Sequence, residues 1–217
     1  MLIPKRLLRF FETKEHAEEF VSGKIRIGEL ALYKAIEDSR GDPLEGTAFF
    51  TWDKNAPELR IDTSTGKIVG DKTLSTQKIQ NKIIIAYPLY LLCTTGTRVN
   101  KEVFAKKNRY TCFVEINDSL GLLKLLNQEW LKKAYSFGDV ELKKVTYDRG
   151  ILIKKPNNYL LARPEISYTQ KSLNDKDDRE YRFIFKCKTD SSLIIENYTY
   201  LDVGIDNDVI EKNIRTV

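Results

Sequence analysis

Apolar residues along the chain fall into two kinds of run. Lys5–Phe11 (KRLLRFF) and Lys24–Gly28 (KIRIG) mix apolar with basic residues in the short-period way of strands, the second alternating as a strand with one wet face would. Between them, Thr13 predicts an N-cap for the helix KEHAEEFVSG, which Gly23 closes. ELALYKAIED places Leu30, Tyr33 and Ile36 on one helical face, and Arg40-Gly-Asp-Pro43 ends it. Thr47–Asp53 predicts a strand. Residues 54–80 are polar and turn-rich, and predict a surface hairpin insertion with strands Glu58–Asp62 and Lys67–Val69.

Lys82–Ala86 (KIIIA) and Leu89–Thr94 (LYLLCT) are continuous apolar runs, and with Tyr110–Ile116 and Tyr181–Cys187 they predict buried central strands. Asn100–Lys107 predicts a short helix. Asp118–Tyr135 predicts a longer one, with Leu120, Leu123, Leu126 and Trp130 at helical spacing and Leu122 widening the stripe. Val140–Tyr147 and Gly150–Ile153 predict strands, and Ser192–Glu196 with Tyr198–Val203 a closing hairpin. The order of elements predicts one α+β domain over residues 1–217, with a central mixed sheet and a few packed helices.

Length and composition agree with that reading. The 217 residues are 41% hydrophobic, enough to build a core, and 31% charged with the signs interspersed, which excludes a wholly disordered chain. No run approaches the roughly 20 apolar residues that span a bilayer, and the first residues lack a signal-peptide core, so the expectation is a cytoplasmic protein with no membrane partner. Three cysteines (Cys93, Cys112 and Cys187) lie in strand-like runs without a CxxC pair, and His16 is the single histidine. Reduced thiols and no metal follow. The net charge is +5, but residues 98–155 hold 13 Lys and Arg against 7 Asp and Glu. Such an excess suits a phosphate-bearing partner.

Phosphate-binding loops of the GxxxxGK[ST] and GxGxxG types are absent, as are GxSxG and HExxH. Two polar clusters remain. Glu37-Asp-Ser-Arg-Gly-Asp-Pro-Leu-Glu45 is dense in carboxylates between two apolar elements; it reads either as turn chemistry or as a cleft mouth carrying Asp42 and Glu45. Asp178-Arg-Glu-Tyr-Arg-Phe183 sets Glu180 and Arg182 two apart on one strand face. They are either an ion-pair row on an exposed sheet face or a ligand-facing strand start.

Four features in order resemble a bacterial family of uncharacterised α+β domains associated with phage defence. These are Leu8-Arg-Phe-Phe11 followed by Gly23-Lys-Ile-Arg-Ile27; Asp42-Pro-Leu-Glu45; Phe104–Val114, running from a helix into a Cys-containing strand; and Asp178-Arg-Glu-Tyr-Arg182. The family's Trp and His in the mid-chain helix are missing. A weaker similarity is to ADP-ribosyltransferases, which implies NAD as ligand, Arg9 and Glu180 as the catalytic pair and Tyr33 as a stacking residue; Asp42, Glu45 and Arg182 of the two polar clusters are the further candidate ligand-binding residues. There the glutamate would stabilise a cationic ribose.

Two expectations follow. A defence- or toxin-associated effector acting on a nucleotide or NAD-type ligand requires Arg9, Asp42, Glu45 and Glu180 in one cleft, with Arg9 and Glu180 on the same sheet face. A non-catalytic module that holds nucleic acid or a protein partner, including a phage inhibitor of a host defence protein, requires Lys106, Lys107, Arg109, Lys132, Lys133, Lys143 and Lys144 on one face.

Overall fold

The structure, a computed structural model, describes residues 3–30, 47–52, 59–61, 68–70, 80–84, 89–147, 150–153, 169, 171, 173–187 and 200–216. The largest sheet has eight strands: β1 (Leu7–Phe11), β2 (Lys24–Glu29), β7 (Leu89–Gly96), β8 (Cys112–Ile116), β9 (Glu141–Lys144), β11 (Glu180–Lys186), β12 (Tyr200–Gly204) and β13 (Ile214–Thr216). Every pairing in it is antiparallel. A three-stranded sheet joins β3 (Thr47–Trp52) to β6 (Gln80–Ile84) and, in parallel, to β10 (Gly150–Ile153). The hairpin within 54–80 is β4 (Leu59–Ile61) against β5 (Ile68–Gly70). The chain is therefore α+β. Of the KIIIA run, Lys82–Ile84 pairs in the smaller sheet instead of the central one, and its last two residues lie outside the described ones. Tyr200–Gly204 pairs with β2, while Ser192–Glu196 lies outside the described residues, as do Tyr33, Asp42 and Glu45.

Strand β7 organises the large sheet. One edge pairs with β11 along residues 89–95. The other edge is shared: β2 takes Tyr90 and Leu91, and β1 takes Thr95 and Gly96. Between those pairings β1 and β2 diverge, and among the described residues Leu92–Thr94 has no strand partner on that edge. Beyond them the sheet continues through β8 and β13 on one branch and through β12 on the other.

The two faces are built differently. Leu7, Phe11, Leu92, Val114, Ile116, Phe183 and Phe185 point to the main core. Helices α1 (Lys14–Val21) and α3 (Ser119–Leu131) cover that face. Phe20 of α1 sits 5.4 Å from Phe11, and Trp130 of α3 sits 5.2 Å from Phe185, edge to face. Thr13 and Asp118 cap the two helices as their side chains predict. The buried stripe of α3 is Ser119, Leu122, Leu126 and Trp130, and Leu120 is 55% exposed. Spacings of three, four and four follow the 3.6-residue turn, which the register through Leu120 and Leu123 does not. After α1, Gly23 has φ +94°. A Cβ there would lie 2.0 Å from the carbonyl oxygen of Ile205, so only glycine fits.

The opposite face carries Leu8, Phe10, Leu89, Leu91, Ile184, Glu180 and Arg182. Helix α2 (Lys101–Lys107) lies on this side, with Phe104 4.7 Å from Phe10, and Tyr110 and Phe113 complete the aromatic cluster. A short helix, α4 (Asn207–Ile210), precedes β13. Among the described residues no helix is long and apolar enough to cross a membrane.

Candidate functional site

Glu180 begins β11 and is 5% exposed; Arg182, two residues on, is 1% exposed. The pair is thus neither an exposed row nor an open ligand-facing edge, because further chain covers this face. The Arg182 Nε donates to Glu180 Oε1 at 2.6 Å, and Lys171 Nζ stands 2.8 Å from Oε2. The Glu180 amide donates to the Tyr147 hydroxyl at 2.7 Å. Burial alone would raise the Glu180 carboxyl, but Arg182 and Lys171 outweigh it and hold the group far below the usual carboxylate range. Glu180 is an ionised carboxylate with a cation on each oxygen. Directly across from Arg182 on β7 is Cys93, whose thiol is pushed up to about 12 by burial and by the nearby Glu180 charge.

Arg9 takes a different place. Leu8 pairs with Thr95, as does Glu180, so Leu8 shares the face of Glu180. Alternation then puts Arg9 on the face of Leu7 and Phe11, and its guanidinium is 5.5 Å from the Phe11 ring centre. From there it reaches the gap between β1 and β2, where Nη1 donates to the Cys93 carbonyl at 2.6 Å. Arg9 satisfies a backbone acceptor that the divergence leaves without a strand partner. The register does not set Arg9 and Glu180 on one face, which the transferase reading required.

The basic region also divides. Lys132 and Lys133 follow α3 on the main-core face, and Lys132 is held by Glu129 at 2.6 Å. Lys143 and Lys144 point to opposite faces of β9, since they pair with Arg182 and Tyr181 respectively, and Lys143 is 3.3 Å from Glu141. Lys132, Lys133 and Lys144 thus lie on the main-core side, away from Lys106, Lys107 and Arg109 at the end of α2, while Lys143 shares the α2 side on β9 and is held by Glu141. The predicted single face of seven cations is not formed, because strand alternation and the side of the sheet each helix covers separate them.

What the α2 end does meet is a second helix end. A 3₁₀ helix, Leu173–Asp178, leads into β11. Lys107 and Asp178, the last residues of the two helices, form an ion pair at 3.0 Å. Lys106 and Arg109 flank Lys107, and Lys176 and Arg179 flank Asp178; these four residues are exposed, and the Arg179 Cβ lies with the Tyr181 ring against Gly96, on the main-core side of the sheet. None of the four forms an ion pair or side-chain hydrogen bond with a described residue. Asp175, Asp177 and Asp178 are the acids of the 3₁₀ helix.

Lys176, Arg179, Lys171 and Tyr147 are site residues that sequence reasoning did not single out. The run Asn174–Arg179 was visible as charged, but nothing in its spacing joins it to α2, some 70 residues earlier. Among the described residues no group of three His, Cys, Asp or Glu is placed to hold a metal ion.

Comparison with known proteins gives no match to a family model, to a curated protein or to a solved structure.

Proposed function

We propose that the chain is a non-catalytic module that binds the phosphate backbone of nucleic acid through the surface where α2 and the 3₁₀ helix end. The observation that carries this reading is that Lys106, Arg109 and Lys176, which neighbour the two members of the Lys107–Asp178 bridge in sequence, are exposed and without a described anionic partner. Unneutralised cations on a surface attract a polyanion and release its counterions, and such binding needs no deep cavity. Glu180 serves this reading as an anchor: held by Arg182 and Lys171, it fixes the start of β11 next to Arg179. The NAD-type transferase reading has less support, because its two key side chains start from opposite faces and both Glu180 oxygens already carry a cation.

The test is fluorescence anisotropy with a labelled single-stranded oligonucleotide. Lys106→Glu is expected to weaken binding about tenfold or more, and Lys132→Glu, an equal charge change on the other side of the sheet, to leave it within about twofold. Equal losses from both would mean that net charge, not this surface, drives binding. Release of nicotinamide on incubation with NAD would restore the transferase reading.

A further inference from the structure

Helix α2 meets the sheet through Lys101, Phe104 and the cap residue Asn108, a stripe at spacings of three and four, yet no residue from Lys101 to Lys107 is buried. Phe104 packs as an inward aromatic should, 4.7 Å from Phe10 and stacked with Tyr110 at 6.1 Å. Lys101, one turn earlier on the same stripe, sets its Nζ 4.5 Å over the centre of the Phe113 ring. Phe113 pairs with Phe10 across β8 and β1, so its ring is on the α2 side of the sheet, 5.4 Å from Phe10. That ring is only half-buried, as is Lys101.

An apolar side chain at position 101 would bury Phe113 and add to the contact between helix and sheet. A lysine does neither, because its ammonium keeps to water while its stem lies along the ring. The Lys101 ammonium forms no ion pair or hydrogen bond with a described residue. The Phe113 ring is therefore covered by a group that a ligand can displace, and not sealed by packing. An inward position that forgoes apolar contact without a structural gain points to use of the ring it leaves open.

We infer that Phe113 is a base-stacking shelf with Lys101 as its displaceable cover, and hence that the nucleic acid this chain binds is an unpaired strand. The inference rests on the nucleic-acid reading above and names the class of strand. Phosphate contacts are open to duplex and single strand alike, but a base lies flat on a side-chain ring only when it is free of its partner strand. The shelf adjoins the cationic end of α2 through the aromatic cluster: Tyr110, which follows Arg109, is 5.9 Å from Phe10, and Phe10 touches Phe113. Displaced from the ring, the Lys101 ammonium covers the outer face of the stacked base.

Anisotropy with a labelled single-stranded oligonucleotide and with a duplex of the same length, together with thermal melting, would be measured on the full chain. Phe113→Leu is expected to weaken single-strand binding about fivefold or more, the scale of one stacked base, and to leave duplex binding within about twofold. Lys101→Leu, whose apolar side chain packs permanently over the ring, should weaken single-strand binding more than duplex binding, with a melting temperature unchanged or raised. Lys106→Ala should weaken both in similar proportion. Either leucine variant binding the single strand as tightly as wild type overturns the inference, and so does a loss equal on single strand and duplex; both leave the nucleic-acid reading standing. A marked fall in the melting temperature of Lys101→Leu also overturns it, since the lysine would then be a structural partner of the ring. If the wild type binds neither oligonucleotide, the reading itself fails and the inference with it.

Discussion

Replacing Glu180 by glutamine keeps the side-chain shape and removes only the charge. In the folded protein both carboxylate oxygens are engaged, one by Arg182 at 2.6 Å and one by Lys171 at 2.8 Å, and Arg182 is 1% exposed. Arg182 cannot recover its loss in water, whereas the Lys171 side chain, at 14% exposure, can do so in part. Two charge-assisted hydrogen bonds at about 1.5–3 kcal/mol each match the roughly 3–5 kcal/mol measured when a buried pair loses one partner. That is at least about a fifth of the roughly 5–15 kcal/mol stability of a typical domain. Urea unfolding monitored by tryptophan fluorescence would read the cost.

The pH dependence is a second signature. The Glu180 carboxyl is depressed on folding, so its contribution is complete above the ordinary carboxylate pKa of about 4.3 and is lost as pH falls from there through the folded-state value. The gap between wild type and Glu180→Gln should therefore narrow below about pH 4. Adding Arg182→Met to Glu180→Gln should recover part of the loss, since it removes the buried cation that faces the neutral side chain. A cost below about 1 kcal/mol for the single variant, with an unchanged dependence on urea concentration, would refute the reasoning.

Trp130→Ala is expected to cost about 3–5 kcal/mol by urea unfolding, because the ring is 0% exposed and wedged between Phe185 and Tyr135. Trp130→Phe should cost much less, because it also removes a buried indole N–H that has no hydrogen-bond partner. Cys93 and Cys187, whose thiols burial pushes up to about 12, should react with iodoacetamide at pH 8 on the order of a thousandfold more slowly in the folded protein than in urea; equal rates in the two states, read by mass spectrometry, would contradict the burial.

The strands were legible wherever burial wrote them into composition. LYLLCT, YTCFVEI and EYRFIFKC became β7, β8 and β11 because strands covered on their faces need apolar residues almost without break. KIIIA has the same composition but joined the smaller sheet, since an apolar run does not say which strand it pairs with. Arg9 and Glu180 were recognisable as unusual residues in strands, but the face each takes depends on register, and one position of register reverses a face. The role of Arg9 depends further on the divergence of β1 and β2, a property of the sheet and of no single segment. For the surface, half was readable. Lys106, Lys107 and Arg109 were visible beside one another, while the segment carrying Lys176 meets them only through the Lys107–Asp178 contact.

The salt dependence of oligonucleotide binding tests the central claim most directly. Three exposed cations, Lys106, Arg109 and Lys176, facing phosphates predict a logarithmic slope of affinity against salt of about −2 for a single strand. Anisotropy titrations between about 50 and 200 mM salt would give that slope, and Arg109→Gly should reduce its magnitude by about 0.7. A wild-type affinity that does not change with salt, or a slope that Arg109→Gly and Lys132→Glu alter equally, would contradict the account.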